Sequence, residues 1–208
     1  MTNPFLLLAS LTVTSAFAKP LPLSDPNNAG EWALVESVSD EFNGNSLDLT
    51  IASKWDPNFK FSDTPLKGVP YGKAAPVTSG SIVSKAQFKH GYLEMRCKAA
   101  FGPVSSSFWS TGVGGEIDVF EHFGNNPTNP NSAYRYHASF HDWRKGASTF
   151  GKRIWDNAHR LGFKVVDDFH TCGLEWDANS LRIYIDGRLI NSGTRSSSTT
   201  SNSANPNK

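Results

Sequence analysis

Three carboxylates fall within six consecutive residues, Glu-Ile-Asp-Val-Phe-Glu at positions 116–121, in a segment that is otherwise apolar and β-prone. Because carboxylates repel one another, a fold gains no stability by crowding them. The usual reason for such crowding is acid–base or nucleophilic chemistry on a bound substrate. The alternative, a solvated acidic edge strand, is disfavoured by the apolar residues between and after the acids. This hexapeptide is therefore the candidate catalytic segment.

The spacing of the acids predicts a local irregularity in their strand. Side chains alternate along a regular strand, so Glu116 and Asp118 share a face while Glu121 falls on the opposite one. A one-residue bulge near residues 119–120 would bring all three acids to one side and leave the intervening apolar residues facing the core. Two carboxyls about 5–5.5 Å apart suit retaining glycoside hydrolysis, in which one attacks the anomeric carbon and the other protonates the leaving oxygen. We therefore predict the bulge and this two-carboxylate chemistry.

Aromatic and basic side chains near the acids are candidates for substrate contact. His137 and His141 lie four residues apart on one face of an alternating strand that also carries Arg135, and we expect them to line the same cleft. A metal pair is the alternative, but no carboxylate or cysteine on that strand completes a ligand set, so no metal site is predicted. Trp109 either packs in the core or stacks on a sugar. Trp143 lies either at the cleft rim or in a solvated turn.

The rest of the chain alternates between short β-prone segments and turns, and only residues 153–161 hint at a helical turn. With 17 Gly, 12 Pro and 12% aromatic residues, the composition is typical of many short strands. This pattern predicts an all-β, two-sheet antiparallel β-sandwich rather than an α/β fold. The predicted strands are 31–42, 81–86, 91–99, 106–110, 134–141, 169–176, 181–186 and 188–190, with Phe108, Trp176 and Tyr184 in the core. The first of them runs into a turn, and Asp186-Gly187 is a tight-turn dipeptide before the last.

Charge and hydropathy bound the partners and the location of the protein. Lys and Arg number 20 against 19 Asp and Glu, with no basic run or stripe, so nothing indicates a nucleic-acid partner. Residues 5–18 are largely apolar and end in Ala-Phe-Ala, as in a secretory signal peptide over residues 1–18; a buried or disordered N-terminus is the alternative. No later segment reaches membrane-spanning length. We expect a secreted, extracellular monomer.

The two cysteines, Cys97 and Cys172, both face the core side of their predicted strands. In an exported protein a disulfide between them is one interpretation, since oxidising compartments preserve such bonds. Two buried free thiols are an equal alternative. Neither cysteine has an obvious base beside it, so neither is a candidate nucleophile.

Together with the acids, a series of landmarks resembles glycoside hydrolase family 16. The motif Glu-x-Asp-x-x-Glu in a β-rich chain is similar to the active-site strand of that family. The other matching segments follow in the family's order: Ser-Asp-Glu-Phe-Asn-Gly at 39–44, Lys-Trp at 54–55, Gly-Tyr-Leu-Glu-Met-Arg at 91–96, Phe-Trp at 108–109, Ser-Phe-His at 139–141, and Ile-Asp-Gly at 185–187.

The resemblance implies a concanavalin-like jelly roll over residues 31–191, after a lead-in at 19–30 and before a disordered polar tail at 192–208. After Asp186-Gly187 the family normally continues through at least one further strand, so the sandwich is expected to be incomplete at its C-terminus. A structural calcium seen in many members would draw on that strand. We therefore predict neither a calcium nor any other cofactor.

Carried over residue by residue, the resemblance implies that Glu116 is the nucleophile, Asp118 the assisting acid and Glu121 the acid/base. It likewise implies that Trp109 is an aromatic platform near the cleaved sugar and that His141 contacts the substrate or tunes an acid. The implied activity is that of a retaining, endo-acting hydrolase of β-linked polysaccharide.

The landmarks are more similar to agarase and porphyranase members than to laminarinases, which favours a red-algal galactan as the polysaccharide. Basic residues would favour a sulfated polymer if they gather on the cleft, and are otherwise solvated charges; they stand at positions 135, 144, 145, 153, 160 and 164. A β-1,3-glucanase, a non-catalytic glycan-binding sandwich and a transglycosylase remain as alternatives.

Overall fold

The structure is a computed structural model that describes residues 19–48, 50, 52–57, 80–102, 104–112, 114–148 and 152–194, with only the backbone described over 152–157. The predicted signal peptide and the tail beyond residue 194 lie outside the described residues. Within the described part of the chain, no helix combines the length and apolar character needed to cross a bilayer.

Strands dominate the described residues, and every pairing between them is antiparallel. One four-stranded sheet has the order β10-β9-β8-β3, a second has the order β4-β5-β6-β7, and β1 pairs with β2 in a two-stranded ribbon. The strands are β1 (Trp55–Asp56), β2 (Val83–Ser84), β3 (Gly91–Cys97), β4 (Ser105–Gly112), β5 (Gly115–Phe123), β6 (Arg135–Asp142), β7 (Lys152–Arg160), β8 (His170–Trp176), β9 (Ser180–Ile185) and β10 (Arg188–Thr194).

The two four-stranded sheets pack face to face around one hydrophobic core. Alternation explains the burial, because Leu93 and Met95 of β3 turn inward while Glu94 between them is exposed. The fully or nearly buried side chains come from both sheets: Ile117, Val119, Phe120, Tyr136 and Ala138 from β5 and β6, and Cys172, Leu174, Ile183 and Ile185 from β8 and β9. The predicted all-β sandwich is confirmed.

Three predictions about local structure were wrong. Residues 31–42, where the sequence predicted a strand, form no strand and turn at 36–38. The sequence hinted at a helical turn over 153–161, but residues 152–160 form β7 and pair along β6 from Asp142 to Arg135. This edge strand is formed by pairing with β6, and tertiary pairing overrides weak local propensity. Tyr184 lies outside the sandwich core, because Ile183 and Ile185 on either side of it occupy the inward positions of β9.

The return strand at the C-terminal end is longer than predicted. Asp186 and Gly187 both have positive φ, 49° and 75°, as an Asp-Gly hairpin turn requires. The following strand, β10, then pairs with β9 as far as Thr194, so residues 192–194 belong to the sheet rather than to the polar tail.

Both cysteines face the core as predicted, and both are free thiols. Cys172 is completely buried, and its Sγ lies 3.7 Å from Nε2 of His122. Cys97 is partly buried against the same cluster. The interpretation with two free thiols therefore describes this structure.

Candidate active site

The strand that carries the acids, β5, is bulged where the sequence predicted. Against β6, Asp118 pairs with Ser139 and Glu121 pairs with His137, so three steps along β5 match two steps along β6. Against β4, the register shifts at Val119, which has no partner between Asp118 and Phe120. The bulge is therefore confirmed.

The bulge puts two consecutive apolar side chains into the core. Val119 and Phe120 both have 0% exposure, which regular alternation would not allow. Ile117 is also in the core, so the three acids all project from the opposite face of the sheet. We call this surface of β4, β5 and β6 the carboxylate face, defined by Glu116, Asp118 and Glu121.

Register arranges the carboxylate face as three cross-strand rows with an acid at the centre of each. Residues paired across antiparallel strands project to the same side of the sheet, so each acid has a neighbour from β4 and one from β6. The rows are Thr111–Glu116–His141, Trp109–Asp118–Ser139 and Ser107–Glu121–His137.

Asp118 is the most enclosed of the three acids, with 5% of its surface exposed. Its Oδ2 accepts a hydrogen bond from the Ser139 hydroxyl and lies 3.3 Å from Nε2 of His141. The Ser139 Oγ is also 3.2 Å from that nitrogen, so the three side chains form a closed triangle. The sequence analysis assigned Ser139 no role, although its parity with the two histidines was a signal that it shares their face.

Glu116 is half-buried, and its pKa is raised above the usual value by desolvation first and by the neighbouring Asp118 charge second. The His141 ring and the Trp143 indole oppose this shift, since both favour the charged carboxylate. The Trp143 Nε1 donates to Oε2 of Glu116 over 3.3 Å. The same indole stacks on the His141 ring at 5.5 Å between centroids and 2° between planes.

An ion pair between the buried Asp142 and the largely exposed Arg144 fixes the backbone on both sides of Trp143. Arg144 donates from Nε and Nη2 to the two carboxylate oxygens of Asp142, at 2.9 and 2.6 Å, and its backbone N–H donates to Oδ1 at 3.0 Å. Asp142 is 2% exposed. The Trp143 N–H donates to the carbonyl of Gly114, which has a φ of +85° and whose missing Cβ leaves room for the Arg144 side chain. This arrangement holds the indole beside Glu116.

The structure brings the predicted contact residues to the carboxylate face. Trp109 is opposite Asp118, on the acid side rather than in the core, so core packing is excluded and stacking on a sugar stays a prediction. His137 is opposite Glu121, and its ring meets that of Phe123 edge-on at 5.7 Å. Arg135 precedes His137 by two residues on the same side of β6. Trp143, at 39% exposure, lies at the rim.

Glu116, Asp118 and His141 also offer three ligand atoms that all lie within 4.8 Å of one another. The sequence interpretation looked only on the histidine strand and found no carboxylate or cysteine there to complete a ligand set. Cross-strand pairing supplies two carboxylates from β5, so the donor set is compatible with a divalent cation. Glu116 and Asp118 are also two of the three acids expected to act on a sugar, and His141 is expected to contact the substrate or tune an acid.

His122, which sequence reasoning did not single out, lies behind the carboxylate face. Its ring stacks on Phe120 at 4.4 Å and meets Tyr136 edge-on at 5.1 Å. Burial lowers its pKa to about 3, with the nearby His137 and His170 adding to the effect. His122 is therefore a neutral core residue next to Glu121 in the chain.

The fold and the site together define the class of this protein. It is a β-sandwich protein of the jelly-roll type that carries three carboxylates on the face of one sheet. The chain belongs to the glycosyl hydrolases family 16, because the family model matches residues 28–208.

Curated relatives include enzymes named for two kinds of polysaccharide. A β-glucanase of Acetivibrio thermocellus is 37% identical over 132 residues, which cover 60% of this chain and 35% of that protein. β-Agarase A of Zobellia galactanivorans is 26% identical in an alignment 222 positions long that covers 92% of this chain and 40% of that protein. The chain thus spans between a third and two fifths of the length of these relatives.

Among solved structures, porphyranase B of Zobellia galactanivorans is similar in fold. The superposition has a TM-score of 0.60 and 21% sequence identity, and it covers 77% of this chain and 74% of that one. This similarity supports the jelly-roll architecture.

Proposed function

We propose that the protein is a secreted, endo-acting, retaining glycoside hydrolase of β-linked polysaccharide. The observation that carries the proposal is the bulge at Val119, which brings Glu121 to the same sheet face as Glu116 and Asp118. Two glutamates on one face, with an acid between them, are the parts that a double-displacement mechanism needs. A non-catalytic glycan-binding sandwich has no use for them.

In the proposed first step, a Glu116 carboxylate oxygen attacks the anomeric carbon and the bond to the leaving oxygen breaks. The Glu121 carboxylic acid gives its proton to that oxygen, so the leaving sugar departs as a neutral alcohol. Asp118 lies between the two and is held by Ser139 and His141. Burial first, and the Asp118 charge second, raise the pKa of Glu116 and thereby its basicity as an attacking group.

In the second step, the Glu121 carboxylate takes a proton from water, and the water oxygen displaces Glu116 from the anomeric carbon. The stereochemistry is retained because the carbon is inverted twice. A transglycosylase would share the first step and differ in using a sugar hydroxyl instead of water.

Within this class, we propose a red-algal galactan of the agarose or porphyran type as the substrate. The support is the sequence landmarks and the similarity to a β-agarase over most of this chain. The second candidate is a β-1,3-glucan, and the similarity to a β-glucanase favours it over part of the chain.

The test is incubation of the purified protein with agarose, porphyran, κ-carrageenan and laminarin, followed by product chain lengths and NMR of the newly formed anomeric centre. We expect oligosaccharides with retained configuration from one galactan. Glu116→Gln should abolish reducing-end release and leave polymer binding intact. Turnover by that variant, or inverted products, would refute the mechanism, whereas products from laminarin alone would support the glucanase.

Secretion is a separate part of the proposal and has its own test. Expression of the full chain in a secreting host should give an extracellular protein whose N-terminus begins at Lys19, as mass spectrometry can read. Intact retention of residues 1–18 would contradict a cleaved signal peptide.

A further inference from the structure

The Ser139 hydroxyl is enclosed with Asp118 and His141 in a triangle of polar atoms. Ser139 and Asp118 are buried, and the His141 side chain is largely buried. The hydroxyl donates to Oδ2 of Asp118, while Nε2 of His141 is 3.2 Å from the Ser139 oxygen and 3.3 Å from that same carboxylate oxygen. Because buried polar atoms are normally satisfied, these three have to satisfy one another.

The number of protons in the triangle determines the state of His141. A serine hydroxyl has a single proton, and the Ser139 proton is donated to Asp118, since a hydrogen bond to a charged carboxylate is the stronger kind. The Ser139 oxygen then presents only lone pairs to Nε2 of His141, as the carboxylate oxygen also does. This nitrogen must therefore carry a proton, because without one it would face two acceptors at 3.2 and 3.3 Å.

The position of Ser139 in the sheet gives its hydroxyl a task that backbone pairing does not perform. Asp118 pairs with Ser139 at the last regular register position before the bulge, and the next pair is Glu121 with His137. Pairing fixes the Asp118 backbone, but the terminal torsion of an aspartate side chain is broad. The bond from Ser139 therefore supplies the constraint on how the carboxylate is rotated, next to the irregular part of β5.

We infer that Ser139 is a positioning residue whose hydroxyl fixes the rotation of the Asp118 carboxylate and keeps a proton on Nε2 of His141. With Oδ2 engaged by both residues of β6, the carboxylate has one orientation relative to Glu116 on its own strand. The effect on catalysis rests on the proposed function, because it presumes that Asp118 assists the Glu116 nucleophile. Ser139 itself touches neither the sugar nor the reacting atoms in this mechanism.

The kinetic test compares Ser139→Ala with Ser139→Thr on the polymer that the wild type hydrolyses. Ser139→Ala should lower kcat about 10- to 100-fold, the size expected for a lost hydrogen bond to a charged group. KM should stay nearly unchanged, because the lost interaction acts on the nucleophile and not on sugar binding. Ser139→Thr keeps a hydroxyl on a strand that tolerates β-branched residues, so it should retain most of the wild-type kcat.

Ser132→Ala is the matched control, because Ser132 and Ser139 are both 3% exposed. The Ser132 hydroxyl donates to the carbonyl of Phe123 over 3.3 Å, from the 3₁₀ helix Pro130–Tyr134. Its kcat should equal that of the wild type, and its melting temperature reports the general cost of deleting a buried hydroxyl. A folded Ser139→Ala protein with the wild-type kcat, or an equal fall in kcat for Ser132→Ala, would overturn the inference.

A spectroscopic measurement tests the hydrogen-bond direction without any substrate. Long-range ¹⁵N–¹H correlations of an imidazole show which ring nitrogen carries a proton, and the spectrum of His141→Gln identifies the signals of that ring. We expect a proton on Nε2 of His141 in the wild type, with ring signals that move in Ser139→Ala and stay in place in Ser132→Ala.

The same spectra separate this inference from the catalytic proposal. A His141 ring protonated only at Nδ1 would overturn the inference, because Ser139 would then have to donate to Nε2. Ring signals that do not move in Ser139→Ala would also overturn it. If the wild type cleaves no polymer but the spectra are as expected, the positioning role of Ser139 stands and the hydrolase proposal fails.

Discussion

Trp143 donates its indole N–H to Oε2 of Glu116 over 3.3 Å, from a position at the rim of the sheet. The Asp142–Arg144 ion pair fixes the backbone on both sides of this residue. The indole therefore joins the proposed nucleophile to a loop that the buried Asp142 anchors, and it stabilises the charged form of Glu116 against the burial that raises its pKa.

Trp143→Phe should shift the acid limb of the kcat/KM profile to higher pH. The phenyl ring keeps an aromatic neighbour for His141 but removes the N–H that favours the Glu116 carboxylate, so the raised pKa of Glu116 rises further. Because the nucleophile must be deprotonated, activity on the acid side falls first. Trp55→Phe is the control, since it removes an indole N–H that binds Asp40 instead. If the acid limb of the kcat/KM profile of Trp143→Phe stayed unchanged or moved to lower pH, this role of Trp143 would be contradicted.

Glu121→Ala should slow polymer hydrolysis about 10²–10⁴-fold, the usual contribution of a positioned acid. Aryl glycosides with activated leaving groups need little protonation, so they should lose much less. Steady-state rates on both substrates measure the difference. Glu36→Ala serves as the control, because Glu36 is 63% exposed and pairs with Lys19 away from β5. Equal losses on both substrates would remove the acid role from Glu121.

Deletion of Val119 should leave a partly active enzyme, because it removes the one unpaired residue of the bulge. The shortened β5 would alternate regularly, with Phe120 still inward and Glu121 still opposite His137. Some misplacement of the reacting groups is expected, and a shift of 1 Å can cost about 100-fold in rate.

Deletion of Ile117 is the matched experiment, since it removes a paired residue outside the bulge. It forces Glu116 or Asp118 off the carboxylate face and should abolish turnover. Hydrolysis rates and circular dichroism of both variants provide the measurement. A Val119-deletion variant that folds but is fully inactive would show that the bulge does more than determine which face of the sheet carries Glu121.

His122 should make folding stability depend on pH below neutrality. Its pKa is about 3 in the folded protein against 6.5 as a free side chain, so the unfolded chain binds a proton there that the folded protein does not. The free energy of unfolding should therefore fall as pH decreases from about 6.5 towards 3, by up to about 1.4 kcal/mol per pH unit from this residue. Urea denaturation at several pH values measures the slope, and His122→Leu should flatten it. Equal slopes of the unfolding free energy against pH for wild type and His122→Leu would refute the lowered pKa of His122.

The sequence alone determined the features that depend on neighbouring residues. Period-two alternation gave the all-β class and the inward direction of Cys97 and Cys172. The Asp186-Gly187 dipeptide indicated its hairpin, which has the required positive φ angles. The parity conflict between Asp118 and Glu121, in a strand that also had to bury apolar side chains, predicted the bulge.

Tertiary structure alone decided which residues of different strands face each other. It put His141 opposite Glu116 and Ser139 opposite Asp118, brought carboxylates from β5 to the histidine strand, and paired Arg135 with Arg160. It also made residues 152–160 a strand. Local patterns fix the direction of a side chain relative to its own strand, but register between strands depends on long-range packing and on bulges. A one-residue change in register alters every such neighbour.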